Sequence, residues 1–251
     1  FPDATPRQVG RKALAVNLSD IAAMGGTPLA ALVSVALPRG HGTKLAEELH
    51  EGLIELAGHY DVSLVGGDTT SSDGPLVISV TVLGLSPASG PVLRSGARPG
   101  DVLLVTGALG GSGFGHHLDF EPRTTEAQVL LDAADVHAMI DISDGLAADL
   151  SHLLKESGVG AVISAESIPI RAEALDATDG RTPLAHALGD GEDFELLLAV
   201  SPEDASRLLA QPPFVTPLTR IGECTTEPGG RLALADGRTV PLPPLGWQHS
   251  L

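Results

Sequence analysis

Asp141, Ser143 and Asp144 place oxygen donors close together in a run that starts as a strand and ends as a helix. Ile140 and Ile142 alternate onto one strand face, which turns Asp141 and Ser143 to the other. Asp144 and Gly145 break the alternation, and Leu146, Leu150, Leu153 and Leu154 then recur at helical spacing. Carboxylates at a strand end suit a hard cation, and free amides at a helix start suit an anion. Together they read as a site for a metal-bridged phosphate. The plain alternative is that Asp144 caps the helix.

Similar stretches occur elsewhere. Asn17 and Asp20 lie three residues apart on a helix, near Met24 and away from the Leu14, Leu18 and Ile21 stripe, although such a face can be merely solvated. Gly66, Gly67 and Asp68 follow a short apolar strand. Glycines there let backbone approach a ligand and Asp68 could hold metal, but a simple turn reads the same way. Asp190, Glu192 and Asp193 precede a strand that begins at Phe194, as a ligand-facing loop or a polar turn would.

Other chemistries find no support. The glycine-rich loop from Gly107 to Gly115 lacks the Lys-Ser/Thr of a phosphate-binding P-loop and the spacing of a dinucleotide fingerprint. The histidines form no zinc spacing, and no Gly-x-Ser-x-Gly elbow appears. With Cys224 the one cysteine, neither an internal disulfide nor a cysteine zinc site can form, which suits a reducing cytoplasm. No apolar run is long enough for a membrane span. A formal net charge of -17 excludes a nucleic-acid binder and sets a condition on any phosphate ligand, since carboxylate and phosphate repel unless divalent metal, Mg²⁺ first, lies between them.

The elements that must position these groups can be read along the 251 residues. The first half is helix 10–24, strand 29–37, a helix marked by Leu45, Leu49, Leu53 and Leu56, strand 62–65 and strand 76–83. A proline- and glycine-rich stretch, 87–100, looks like a domain junction. The second half adds strands 102–106, 161–163, 194–200, 215–221 and 231–234, and a helix at 203–209. Strands and helices alternate without strict βαβ order, so the expected class is α/β with mixed sheets, of α+β character, rather than a barrel of alternating strands and helices.

Residues 10–25, 65–70, 94–101, 138–150, 191–196 and the pair Gly246 and Trp247 together resemble the thiamine-monophosphate kinase family, whose relatives include aminoimidazole ribonucleotide synthetase, selenophosphate synthetase and a hydrogenase-maturation protein. The resemblance implies two domains, residues 1–90 for ATP, metal and dimerisation and residues 91–251 completing the site, with the N-terminal sheets pairing into a barrel across a homodimer. It implies transfer of the ATP γ-phosphoryl group to thiamine monophosphate in the cytoplasm. It casts Asp20, Asp68, Asp141 and Asp144 as Mg²⁺ ligands, Gly67, Asp68, Arg94 and Ser143 as ATP contacts, and Glu192 and Trp247 as substrate contacts. The alternatives are a sibling ATP-dependent synthetase or a non-catalytic nucleotide-binding member. The family usually opens with a Gly-Asp-Asp run, a Thr-Asp pair and a His-Phe; this chain opens at that Phe, Phe1, which places those further ligands outside it. The stretch from Gly115 to Pro122 looks short for the family, and Asp190 stands at a usual glycine, a change expected to matter little.

Overall fold

The computed structural model describes residues 4–247, so Phe1 lies outside the described residues. The first half runs α1 (Pro6–Ala23), β1 (Thr27–Pro38), α2 (Gly42–His59), β2 (Ser63–Ser72) and β3 (Val77–Leu85). Helix α1 begins at Pro6, four residues before the expected start at residue 10. Thr5 accepts from the Gln8 amide while the Gln8 side chain accepts from the Thr5 amide, a capping box ahead of Pro6. The strands form a three-stranded sheet in the order β2-β1-β3, with β2 parallel and β3 antiparallel to β1. Strand β2 continues through Gly66, Gly67 and Asp68, where a turn was the competing expectation. Gly67 is required there because a Cβ would fall 1.8 Å from the Val33 carbonyl oxygen.

The second half contains β4 (Val102–Thr106), α3 (His116–Asp119), α4 (Thr124–Ala133), β5 (Val136–Asp141), α5 (Leu146–Ser157), β6 (Gly160–Ser164), α6 (Ala172–Leu175), α7 (Pro183–Gly189), β7 (Leu196–Val200), α8 (Pro202–Ala210), β8 (Leu218–Thr225), β9 (Gly229–Ala233) and β10 (Thr239–Pro241). Its seven strands make one mixed sheet in the order β10-β9-β6-β8-β4-β7-β5, which leaves β5 and Asp141 on an edge. The α/β expectation with mixed sheets holds.

The central strands β4 and β7 are buried throughout because helices cover both sheet faces. Their alternation divides them between two cores. Leu103, Val105, Leu197 and Ala199 pack with Leu146, Leu150 and Leu153 of α5. Val102, Leu104, Leu196 and Leu198 pack with Leu130 of α4, Leu208 of α8 and the end of α1. Helix α1 therefore belongs to two cores: Leu14 and Leu18 join α2 and the small sheet, and Ala22 and Ala23 join the large one. That bridging sets Ser19 and Asp20 against the open edge of β5.

Candidate active site

The face of α1 beside β5 carries Lys12, Val16 and Asp20 at four-residue steps. Ser19, buried next to them, donates to Asp141 Oδ2 at 2.6 Å. Asp141 is itself buried, and burial together with the neighbouring Asp20 charge raises its pKa to about 6, against the Ser19 hydrogen bond and Arg94, which lower it. Asp20 is also raised, first by desolvation, with Arg94 opposing. Arg94 is held there because its linker is tied on both sides: the Val92 amide donates to Met24 O, and the Met139 amide to Leu93 O.

Beyond Asp141 the chain is laced to the loop before β7. The Phe194 amide donates to Ile142 O at 2.8 Å, the Glu192 amide to Ser143 O at 2.7 Å, and the Ile142 amide to Glu195 O at 2.8 Å. This zigzag drives two non-glycine residues into the left-handed region, Glu192 at φ 53° and Phe194 at φ 52°, a strain that packed neighbours must hold. Phe194 stacks on Phe120 with centroids 4.1 Å apart. It also explains why β7 starts at Leu196 rather than Phe194. On the far side the Trp247 amide donates to Asp144 O at 2.9 Å. Gly246 makes that approach possible, since at φ +113° its Cβ would lie 2.6 Å from the same oxygen.

The result is a cavity of about 530 Å³ lined by Val16, Asp20, Asp141, Ser143, Asp144, Asp190, Glu192, Phe194 and Trp247. A second cavity, of about 480 Å³, shares Asp20 and Asp141 with the first and adds Met24, Arg94, His152 and Glu156. The sequence-predicted Asp20, Asp141, Ser143, Asp144, Glu192 and Trp247 thus converge in one place, with Arg94 across the shared carboxylates. Gly67 and Asp68 are not brought there. They line a separate, mostly apolar groove between β2 and α2 with Val33, Leu53 and Leu64. Among the described residues, no group of three or more His, Cys, Asp or Glu side chains is close enough to hold a metal alone.

Three expectations need correction. The amides at the start of α5 are not free for an anion: Asp149 Oδ2 accepts from Asp144 N at 2.9 Å and Gly145 N at 3.1 Å. Asn17 does not accompany Asp20; its amide donates back to Ala13 O. Asp190 matters more than expected at a usual glycine position, because it accepts from the Gly111 amide at 2.7 Å and pairs with Arg181 and His186, tethering the glycine-rich loop to the cavity wall. Residue type alone does not single out Lys12, whose Nζ lies 2.6 Å from Glu192 Oε1. The one signal for it was its place four and eight residues before Val16 and Asp20.

Comparison with known proteins gives this geometry a lineage. The AIR synthase related protein family matches twice, its N-terminal domain over residues 1–86 and its C-terminal domain over residues 98–235. Thiamine-monophosphate kinase of Rhodopirellula baltica is 46% identical over 243 residues, covering 96% of this chain and 76% of that protein. The enzyme of that name from Salmonella typhimurium is 36% identical over 271 residues, covering 99% and 82%. Among solved structures, AaThiL complexed with AMPPCP and TMP superposes with a TM-score of 0.86 at 32% identity, covering 100% of this chain and 82% of that one. A thiamine-monophosphate kinase from Stenotrophomonas maltophilia K279a gives 0.83 at 32%, covering 94% and 81%. A hydrogenase maturation protein, HypE, solved with ATP shares the fold at 20% identity and a TM-score of 0.80. With both domains matched in order and such identity along nearly its whole length, the chain belongs to the thiamine-monophosphate kinase family.

Proposed function

We propose that this protein phosphorylates thiamine monophosphate with ATP, giving thiamine diphosphate and ADP. The observation that carries the reading is the cavity itself, which Asp20, Asp141 and Asp144 line together with Glu192 and Trp247 in a chain of this family. An oxygen of the acceptor phosphate bonds to the γ-phosphorus as the bond from that phosphorus to the β–γ bridging oxygen breaks, and ADP leaves with that electron pair. Such a transfer needs positioning and charge neutralisation rather than a covalent nucleophile, and the site offers no activated nucleophile.

We assign the thiamine end to Trp247 and Glu192. A cationic thiazolium over indole gains roughly 0.5–2 kcal/mol, and Glu192, braced by Lys12, supplies a fixed negative partner. Arg94 and Ser143 are assigned to ATP phosphates. Asp20, Asp141 and Asp144 fit Mg²⁺ shared with phosphate oxygens rather than held by the side chains alone: the donors are all oxygen, and burial, first, and the Asp20 charge, which together raise Asp141, mark a carboxylate that a divalent cation would stabilise in its charged form. When bound, Mg²⁺ neutralises phosphate charge that this acidic protein would otherwise repel.

We place the domain boundary near residue 90, between the two sheets, with residues 1–90 serving ATP, metal and dimerisation and residues 91–251 completing the site. The small sheet exposes Leu32, Val65, Val77 and Leu83, an apolar face of the kind that self-association covers, and we infer a homodimer through it. Gly67 and Asp68 sit on that sheet and are assigned to ATP and Mg²⁺ from the interface side. No described helix is long and apolar enough to cross a membrane, and the buried free thiol of Cys224 suits a cytoplasmic setting.

The test is phosphorus NMR of the protein with ATP, Mg²⁺ and thiamine monophosphate. Thiamine diphosphate and ADP should appear in equal amounts, and Asp144→Asn should cut turnover by about 100-fold or more. ATP consumption with a different product would move the assignment to a sibling synthetase, and ATP binding with no turnover to a non-catalytic member.

A further inference from the structure

Asp149 lies one helical turn inside α5, 2% exposed, and does not line either cavity. Its carboxylate accepts both amides of the Asp144–Gly145 turn, at 2.9 and 3.1 Å. Its own amide donates to Gly145 O at 3.0 Å, so a single residue closes the turn from two directions. Asp144 is then fixed at both backbone ends, its N–H by Asp149 and its C=O by the Trp247 amide. Only the Asp144 side chain is left to project, and it lines the cavity.

We propose that Asp149 is a positioning residue for phosphoryl transfer: through the Asp144 and Gly145 amides it sets the aim of the Asp144 carboxylate and keeps the start of α5 closed to phosphate. The second part follows from the first. Two convergent amides at a helix start bind phosphate readily, and here an internal carboxylate already fills them. Phosphates beside Asp144 are then left to cations on the surrounding carboxylates, and to Arg94 across the Asp20 and Asp141 that the two cavities share, not to the α5 backbone. Asp149 lines neither cavity, so an anion taking its place on the two amides would sit outside both, and filling the pair also removes an unproductive subsite. This role rests on the kinase reading for its kinetic consequence, but not for its consequence on cation binding.

The experiment compares Asp149→Ala with Asp149→Asn, which keeps an acceptor oxygen. Mn²⁺ titration followed by electron paramagnetic resonance needs no turnover. Asp149→Ala should weaken Mn²⁺ binding about tenfold and Asp149→Asn less than threefold. In steady-state assays Asp149→Ala should lower kcat about 100-fold with KM for thiamine monophosphate changed less than threefold. It should also make inorganic phosphate a stronger inhibitor, because the two amides are vacated. In an Asp144→Asn background the same change should cost nothing further in Mn²⁺ affinity or kcat, whereas a purely structural role would add its full cost again. Wild-type Mn²⁺ affinity in folded Asp149→Ala, equal defects in the Ala and Asn variants, or additive losses with Asp144→Asn would overturn the proposal. Should Asp149→Ala not fold, the Asn variant decides: a tenfold loss of Mn²⁺ affinity there sinks the idea and near-wild-type affinity upholds it. Failure to make thiamine diphosphate would overturn only the kinase reading, since the Mn²⁺ comparison stands apart from it.

Discussion

Asp193 shows how strongly a single buried group can tie stability to pH. Its Oδ1 accepts from the Gly110 amide at 2.9 Å, while its buried Oδ2 has no hydrogen-bond partner among the described residues. Burial raises its pKa to about 8, with Glu195 and Asp190 adding to the rise and the Gly110 amide and Arg171 opposing it. The folded protein therefore holds this proton over a range in which the unfolded chain, with a carboxyl near 3.8, has lost it. The resulting stability is complete below about pH 4 and is lost as pH rises toward 8. Melting temperature should fall between pH 6 and pH 8.5, and Asp193→Asn should flatten the upper part of that fall; an unchanged slope would assign it elsewhere. Trp247 gives a second prediction at this scale. Trp247→Ala should raise KM for thiamine monophosphate about 2- to 30-fold, with kcat moved less, in steady-state kinetics. Residue by residue, the site was legible wherever a carboxylate or aromatic sat in a recognisable run, as with Asp141, Asp144 and Trp247. Lys12 and Ser19 were not, because each acts through a contact made across the fold, to Glu192 and Asp141, and helical spacing alone does not separate a cavity-facing lysine from a solvated one. Asp149 was not, because its bonds to the nearby Asp144 and Gly145 amides depend on the conformation of the turn rather than on residue spacing.

Among the elements, the buried network at the start of β7 governs how well the glycine-rich loop and the cavity loop stay in register. Glu195 is 1% exposed and takes two parallel hydrogen bonds from Arg123, at 2.6 and 2.7 Å, and a third from Thr106 at 2.7 Å. Removing one partner of such a pair typically costs about 3–5 kcal/mol because the other is left buried and uncompensated. Arg123→Ala should lower the melting temperature by roughly 6–20 °C, toward the smaller figure because Arg171 stands 3.9 Å from Glu195 and offsets part of the loss. Calorimetry would check it, and a change under 2 °C would mean that Arg171 carries the pair alone. Neither Arg123 nor α4 was legible beforehand. Residues 124–133 mix polar and apolar positions with no stop signal, and only packing on Leu104 and Leu198 reveals which face is inward. By contrast β4 and β7 stood out as continuous apolar runs, since burial on both faces leaves no alternation to blur. The reach of β2 through Gly66 and Gly67 was missed because the strand is held by its neighbour β1, a long-range partner, against local turn preference.

At the scale of the whole molecule, the exposed face of the small sheet and the net charge set how the protein behaves in solution. Leu83→Asp should convert a dimer to a monomer in sedimentation equilibrium while leaving the helical circular dichroism intact; a wild-type protein already monomeric at micromolar concentration would remove the sheet-pairing inference. The single tryptophan carries a consequence of another kind. Trp247 is 65% exposed on the rim of the cavity, and its backbone is pinned to Asp144. Every photon emitted after excitation at the red edge of the indole band therefore comes from the site and from nowhere else in the chain. The protein carries its own optical reporter, and the colour and brightness of that one ring should follow the arrival and departure of ligand in real time, without a label.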